Sequence, residues 1–261
     1  MKNLLIAGGG KFGKKALDFA KTRNFHTIII DKNPYCLASE YVSETFVELD
    51  KLLERFKKSR EPNLFLLQKD ISTINNLILN TEIQFEYIIP VVPIHLMALI
   101  IKNLLNDHSY DINTAKELCL QATHNFKEDL LLNHICEQGV IYLSYAKEGE
   151  ICPDDCPGPP NYCPNFDREK PVTITQYVKN YFNVSDTFSF IKDKKRIIIT
   201  IHSHQLKSGL GGLKGKEVTE VISNLSDNLG YILKNKLELI IGTTCNCHGV
   251  INFFKSSNSS S

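Results

Sequence analysis

The sequence predicts an α/β protein with a parallel-sheet domain first and a second α/β domain that carries a Cys-rich metal-binding loop. Three observations predict it. Short apolar runs alternate with helix-period segments through the first part of the chain, which implies parallel strands with helices on both sheet faces. A glycine-rich turn at Gly8, Gly10 and Gly13 lies between the first run and the first helix. Of the eight cysteines, five fall in two clusters of the second half.

Asn3 to Ala7 (NLLIA) is a short apolar strand. Phe12, Ala16, Leu17, Phe19 and Ala20 then recur at helical spacing through Thr22. His26 to Ile30 is strand-like and ends at Asp31; Glu44 to Leu49 and Leu64 to Leu67 are further strands, with a polar helix at 51–60 between them. Residues 71–80 suit a helix, Tyr87 to Val92 a buried strand, and Ile94 to Leu105 an apolar helix. The first domain is expected to span 1–115 and the second 116–255, with a polar, disordered tail at 256–261. In the second, Val140 to Tyr145 is a strand and Cys152 to Pro164 a Pro- and Cys-rich loop before a helix at 172–182. Thr187 to Ile191 and Arg196 to Ile201 flank the charged turn KDKK as a hairpin. A Gly-rich loop, a helix over 216–235 and strands at Leu237 to Ile241 and Val250 to Phe254 complete the chain.

Bulk properties narrow the function. At 261 residues, two modest cores are a better expectation than one. The 43% hydrophobic and 23% charged content is that of a globular chain, which disfavours disorder. A net charge of +1 supplies no field for non-specific nucleic-acid or anionic-membrane binding. The longest apolar run, Ile88 to Leu105, is interrupted by Pro90, Pro93, His95 and Lys102, and the chain begins on a strand without a leader pattern. A cytoplasmic protein is expected, acting on a small-molecule substrate or redox partner rather than nucleic acid or membrane. In a reducing compartment, clustered cysteines point to metal or redox chemistry, whereas the scattered Cys36, Cys119 and Cys136 read as small buried hydrophobes.

Gly8, Gly10 and Gly13 form G-x-G-x-x-G between strand and helix. The first glycine permits a tight turn, the second lets the backbone approach a pyrophosphate, and the third lets helix and strand pack closely. The phosphate would rest on free N–H groups at the helix N-terminus, beside Lys11 and Phe12. Asp31, at the end of the second strand, would accept hydrogen bonds from a ribose diol, which favours NAD over NADP, although Lys32 weakens that preference. The stretch MKNLLIAGGGKFGKKALDFAKTRNFHTIIIDKN resembles the N-terminal NAD-binding Rossmann domain of bacterial potassium-uptake regulators (TrkA-N type), over residues 1–105. It also looks like the front domain of ATP-grasp ligases, though no length remains for a full ATP-grasp module. The resemblance implies a Rossmann-like fold and a bound nucleotide.

Cys152, Cys156 and Cys163 give C-x3-C-x6-C in one loop, each followed by a proline that restricts the backbone. Cys245-Asn-Cys247-His248 supplies further ligands from a distant segment, so that a metal would pin the loop to the core. Cys-Pro pairs and clustered thiolates favour an iron–sulfur cluster; zinc held by four thiolates, or by three and His248, is the alternative, and reactive thiols without metal a third. The segment ICPDDCPGPPNYC with the late TTCNCHG resembles uncharacterised NAD-binding-like proteins of anaerobic microbes. Asp154 and Asp155, inside the loop, are expected to face solvent or cap backbone N–H groups.

A second glycine loop, with Ser208, Gly209, Gly211 and Gly212, could bind an anion with help from Lys207 or Lys214, near Cys245 at the carboxyl edge of the strands. A flexible surface loop is the bland alternative. His202 and His204 fall on one face of a strand; a ligand role for them is the minority reading, and His95 reads as a core histidine. The leading functional expectation is an NAD-linked oxidoreductase with a thiolate-ligated metal centre. A non-enzymatic nucleotide or redox sensor with structural zinc and an S-adenosylmethionine-dependent transferase are the alternatives. No general base stands out.

Overall fold

The computed structural model describes residues 1–80 and 82–257. In chain order its elements are β1 (Asn3–Ala7), α1 (Lys11–Thr22), β2 (His26–Asp31), β3 (Glu44–Phe46), α2 (Leu49–Lys58), β4 (Leu64–Gln68), α3 (Ile74–Ile78) and β5 (Phe85–Pro90). Then come α4 (Leu96–Asp107), β6 (Ile112–Thr114), α5 (Lys116–Asn125), β7 (Leu131–Ile135), β8 (Val140–Ser144), β9 (Tyr162–Cys163), β10 (Arg168–Glu169) and α6 (Ile174–Phe182). The rest are β11 (Phe188–Ile191), β12 (Arg196–His202), β13 (His204–Lys207), β14 (Leu210–Lys214), α7 (Gly215–Asp227), α8 (Leu229–Ile232), β15 (Glu238–Thr244) and β16 (His248–Ser256). The protein is mixed α/β with two large sheets. It divides into two compact units, Met1–Leu96 with Leu210–Thr219, and Met97–Gly209 with the chain from Glu220 onward. Among the described residues no helix is long and apolar enough to cross a membrane.

In the first unit β1 lies between β2 and β5 and is parallel to both, with Leu5 opposite Ile28 and Ile88. β4 extends the parallel sheet beyond β2, and β3 lies beyond β4. On the other side, β14 pairs antiparallel with β5. Strands buried on both faces need continuous apolar runs rather than alternation. Leu4, Leu5, Ile6 and Ala7 are accordingly 0% exposed, and Ile28 to Ile30 and Phe65 to Leu67 are equally buried. Helix α1 covers the sheet with Ala16, Leu17 and Ala20, and α2 with Leu52 and Phe56. Among the described residues, Thr27, Ser59 and Asn75 are buried polar side chains of this unit, and so is His26. His26 stacks on Phe56 at a centroid distance of 3.7 Å. Its Nδ1 accepts the Asn63 N–H at 3.0 Å, so its proton is on Nε2, which donates to the Phe56 carbonyl at 2.9 Å.

The second unit is built on a mixed sheet of order β11-β12-β15-β16-β8-β7, with β6 also on β16. β12 and β15 pair in parallel, so His202 and Thr244 finish side by side. The other pairings are antiparallel. One face packs Ile141, Leu143, Ile240, Ile251 and Phe253 against α5 and α6. The N-terminus of α6 is capped by Thr173, whose side chain accepts the Gln176 N–H.

Several expectations change. The first unit takes in Met1–Leu96 and Leu210–Thr219 rather than 1–115, because β6 hydrogen-bonds to β16 and the 97–115 stretch belongs to the second unit. The helix expected at 71–80 is a 3-10 turn (Ile71–Thr73), capped by the Asp70 side chain, followed by the short α3. The 216–235 helix breaks at Asn228 into α7 and α8. Ser256 belongs to β16 and Ser257 donates its N–H to Asp111 O at 2.9 Å, so the tail does not start at 256; residues 258–261 lie outside the described residues. Cys119 and Cys136 are not separate apolar fillers. They form a buried disulfide that ties α5 to the 3-10 turn before β8, a pairing that spacing alone does not announce.

Candidate functional site

In the first unit, the carboxyl ends of β1, β2 and β5 bring the glycine turn and Asp31 to one edge. Gly8, at φ +109°, donates its N–H to Ile30 O, and a Cβ there would lie 2.7 Å from Val91 O. A Cβ on Gly13 would run into the Gly8 carbonyl oxygen, so α1 approaches β1 only because this residue lacks one. Gly10 differs: nothing lies within 4 Å of its Cβ position. The N-terminus of α1 has no side-chain cap and no acidic residue in its first turn. Lys11 leans over the Phe12 ring, 5.6 Å from its centroid, and Lys14 over Tyr41. Asp31 accepts N–H groups from Gly9 at 2.6 Å and Asn33 at 2.8 Å, one on each carboxylate oxygen. It thereby fixes the turn, and its remaining lone pairs are open to a second donor. Buried Cys36 packs on Gly9, and Lys32 is exposed. These residues could hold the phosphates and one ribose of a nucleotide.

In the second unit the two cysteine segments converge. Cys152 Sγ lies 3.5 Å from His248 Nε2, and Cys245 Sγ lies 3.9 Å from His248 Nδ1. The Asn246 side chain donates to Gly158 O at 2.9 Å, and Lys170 bridges Pro159 O and the Cys247 sulfur, the latter at 3.0 Å. From the other side, Gly209 N–H and the Gln205 side chain both bond to Cys156 O. The sulfurs gather N–H donors. Cys156 Sγ accepts from Asn165 Nδ2 at 3.2 Å and Gly158 N–H at 3.4 Å, and Cys245 Sγ accepts from the N–H groups of Cys247 and His248. Glu150 and Arg168 form a two-point ion pair behind the loop, with contacts of 2.8 and 3.0 Å. Asp154 and Asp155 face solvent, as expected.

Electrostatics keep the two late ligand candidates neutral. Burial pushes the Cys245 thiol up, and burial with the Lys170 charge holds His248 below the usual imidazole value. Cys152 is also raised, first by burial and then by Cys156, Cys163 and Cys247, whose thiols lie within its electrostatic reach. Thus Cys152, Cys156, Cys163, Cys245, Cys247 and His248 share one neighbourhood. Among the described residues, however, no three or more His, Cys, Asp or Glu side chains already surround one point closely enough to hold a metal ion. Loading would require the thiols to lose protons and draw together.

A cleft of about 310 Å³ opens beside Cys245 and His248, lined also by Ser203, Thr244, Tyr142 and Leu143. The second glycine segment does not line it. Ser208 and Gly209 (φ +66°) form a turn, and Gly211 and Gly212 are strand residues of β14, so that the expected anion loop is a strand connection. Its N–H at Gly209 is occupied by Cys156 O. His202 and His204 meet edge to face at 4.6 Å but lie on successive strands, β12 and β13, and His202 Nδ1 is bonded to Thr175 Oγ1 at 2.8 Å. Sequence reasoning missed Lys170, which lies among charged neighbours (DREK) with nothing to mark it as buried.

Two family models match the chain. AF_1314_N, "Uncharacterized protein, N-terminal domain", matches residues 4–96. AF_1314_C, "Uncharacterized protein, C-terminal domain", matches residues 97–257. A protein of Archaeoglobus fulgidus described as "Uncharacterized protein" is 27% identical over 251 residues, which is 96% of this chain and 98% of that protein. No solved structure matches.

Proposed function

The chain belongs to the AF_1314 family, and we propose that it works as an NAD-linked redox protein with a thiolate-ligated metal centre. The observation that carries this reading is the meeting of two segments nearly a hundred residues apart, with Cys152 Sγ 3.5 Å from His248 Nε2 (sequence separation 96). Six sulfur and imidazole groups share one neighbourhood, and Cys156, Cys245 and Cys247 accept hydrogen bonds from N–H donors, which supports a metal-binding use. The ligands would come from Cys152, Cys156, Cys163 and Cys247, with Cys245 and His248 in reserve. An iron–sulfur centre would supply one-electron transfer.

In the first unit, the strand order β4-β2-β1-β5 is the 3-2-1-4 order of Rossmann-like dinucleotide-binding sheets, and it supports the TrkA-N-type reading. The open space at Gly10 and the basic, uncapped start of α1 suit a phosphate, because lysines at a helix N-terminus oppose the dipole unless an anion sits there. Asp31 would orient the ribose. A zinc-loaded sensor is the second reading. It is favoured by His248, since imidazole beside thiolates is commoner around zinc than around iron–sulfur clusters.

Anaerobic purification with an absorption spectrum and metal and sulfide analysis tests the centre. Iron with sulfide supports the cluster, and stoichiometric zinc supports the sensor. Cys156→Ser lowers the metal content in either case. Protein that takes up neither metal overturns the reading.

A further inference from the structure

We infer that Lys170 is the charge-balancing residue of the thiol centre, a buried ammonium that donates to the Cys247 sulfur and strengthens the hold of the cysteines on a metal. The inference rests on the metal-centre reading proposed above. Lys170 follows the β9–β10 hairpin and is 2% exposed. Its main-chain N–H is held by Asn161 O at 2.8 Å, which fixes the start of the side chain. The ammonium reaches the Pro159 carbonyl and the Cys247 sulfur, the latter at 3.0 Å.

A buried cation persists where an anion or a full set of acceptors receives it. Among the described residues no carboxylate lies within ion-pair distance of Lys170. Glu150 is paired with Arg168, and the adjacent Glu169 is exposed. Among the described residues, its partners are the Pro159 carbonyl and the Cys247 sulfur. That choice suits a metal–thiolate complex. Four thiolates on a divalent ion carry a net charge of −2, and a buried ammonium against one sulfur offsets part of it in a poorly solvated place. Hydrogen bonds to ligand sulfurs are among the outer contacts that tune such centres, and removing one outer contact typically lowers metal affinity by about 10- to 100-fold. Lys170 touches one ligand and not the metal, so it is a positioning residue.

The test uses the full chain, loaded with zinc against a chelator of known affinity, with thermal melts of the metal-free proteins alongside. Lys170→Met is expected to bind zinc about 10- to 100-fold more weakly than wild type. Its metal-free melt should stay level or rise, because an apolar isostere relieves a buried charge. Should this variant fail to fold, Lys170→Gln, which keeps an N–H donor without the charge, is expected to show the same loss. Wild-type zinc affinity in the variant that folds overturns the role of Lys170 and leaves the metal centre standing. Wild-type protein that takes up no zinc or iron removes the centre itself, and with it this inference. A lowered metal-free melt with unchanged affinity assigns Lys170 to structure alone and also overturns it.

Discussion

Replacing Gly10 by alanine separates the two jobs of the glycine turn. Nothing in the protein lies within 4 Å of a Cβ at this position, and φ −72° with ψ −157° is extended backbone that alanine adopts freely. The change therefore removes unfolded-chain entropy at no steric cost, and should raise stability by about 0.4–1 kcal/mol. Gly13→Ala is the contrast. Its Cβ would meet the backbone of Gly8, so α1 must move off β1, at about 1–3 kcal/mol. Binding should move the other way for Gly10→Ala. The new methyl stands in the space in front of the helix N-terminus, and loss of one charge-assisted N–H contact to a phosphate costs about 1.5–3 kcal/mol. That corresponds to a rise of about 10- to 150-fold in the Kd for NAD. Calorimetric titration with NAD and thermal melts of the three proteins read both quantities. Wild-type affinity in Gly10→Ala would show that no phosphate rests there, and a melt lowered by several degrees would show that the site is not open.

Two further outcomes concern stability. His26 is held below the ordinary 6.5 chiefly by burial, and its Nδ1 must stay unprotonated to accept from Asn63. Above pH 6.5 both folded and unfolded forms carry it neutral; below it the unfolded chain binds the proton first, so stability should fall with pH from 6.5 down to the depressed folded value. His26→Gln should be less stable at pH 7 and show a flatter slope across that window in urea unfolding; an unchanged slope would discount His26. Reduction of the Cys119–Cys136 disulfide, which closes a loop with a sequence separation of 17, should lower stability by about 3 kcal/mol. An unfolding midpoint indifferent to dithiothreitol would refute it.

The sheet of the first unit was legible because parallel strands buried on both faces write themselves as runs such as NLLIA and HTIII, and the roles of Gly8 and Gly13 followed from where those runs stop. The approach of Cys152 to the 245–248 turn was also readable, as two clusters of chemically alike residues. What escaped was set by partners distant in sequence. Gly211 and Gly212 look like loop residues until Leu213 and Lys214 pair with β5 and make the segment a strand, and β6 is short enough that only its bonds to β16 reveal its allegiance. Lys170 sits in a run of charged residues with Asp167, Arg168 and Glu169, and only packing buries it. Cys119 and Cys136 lie in apolar surroundings that read equally well for free thiols.

The return of Leu210–Lys214 to β5 has a practical corollary. The boundary at Leu96 looks like a natural place to cut, since two domain models meet there. A fragment stopping at that point would nevertheless leave Ile88 and Tyr87 without their neighbours Leu213 and Lys214, baring an apolar strand margin that invites self-association. The two halves are consecutive in sequence yet interlaced in folding, so an insertion or trimming in the 208–215 stretch would disturb the amino-terminal half as much as the carboxyl-terminal one.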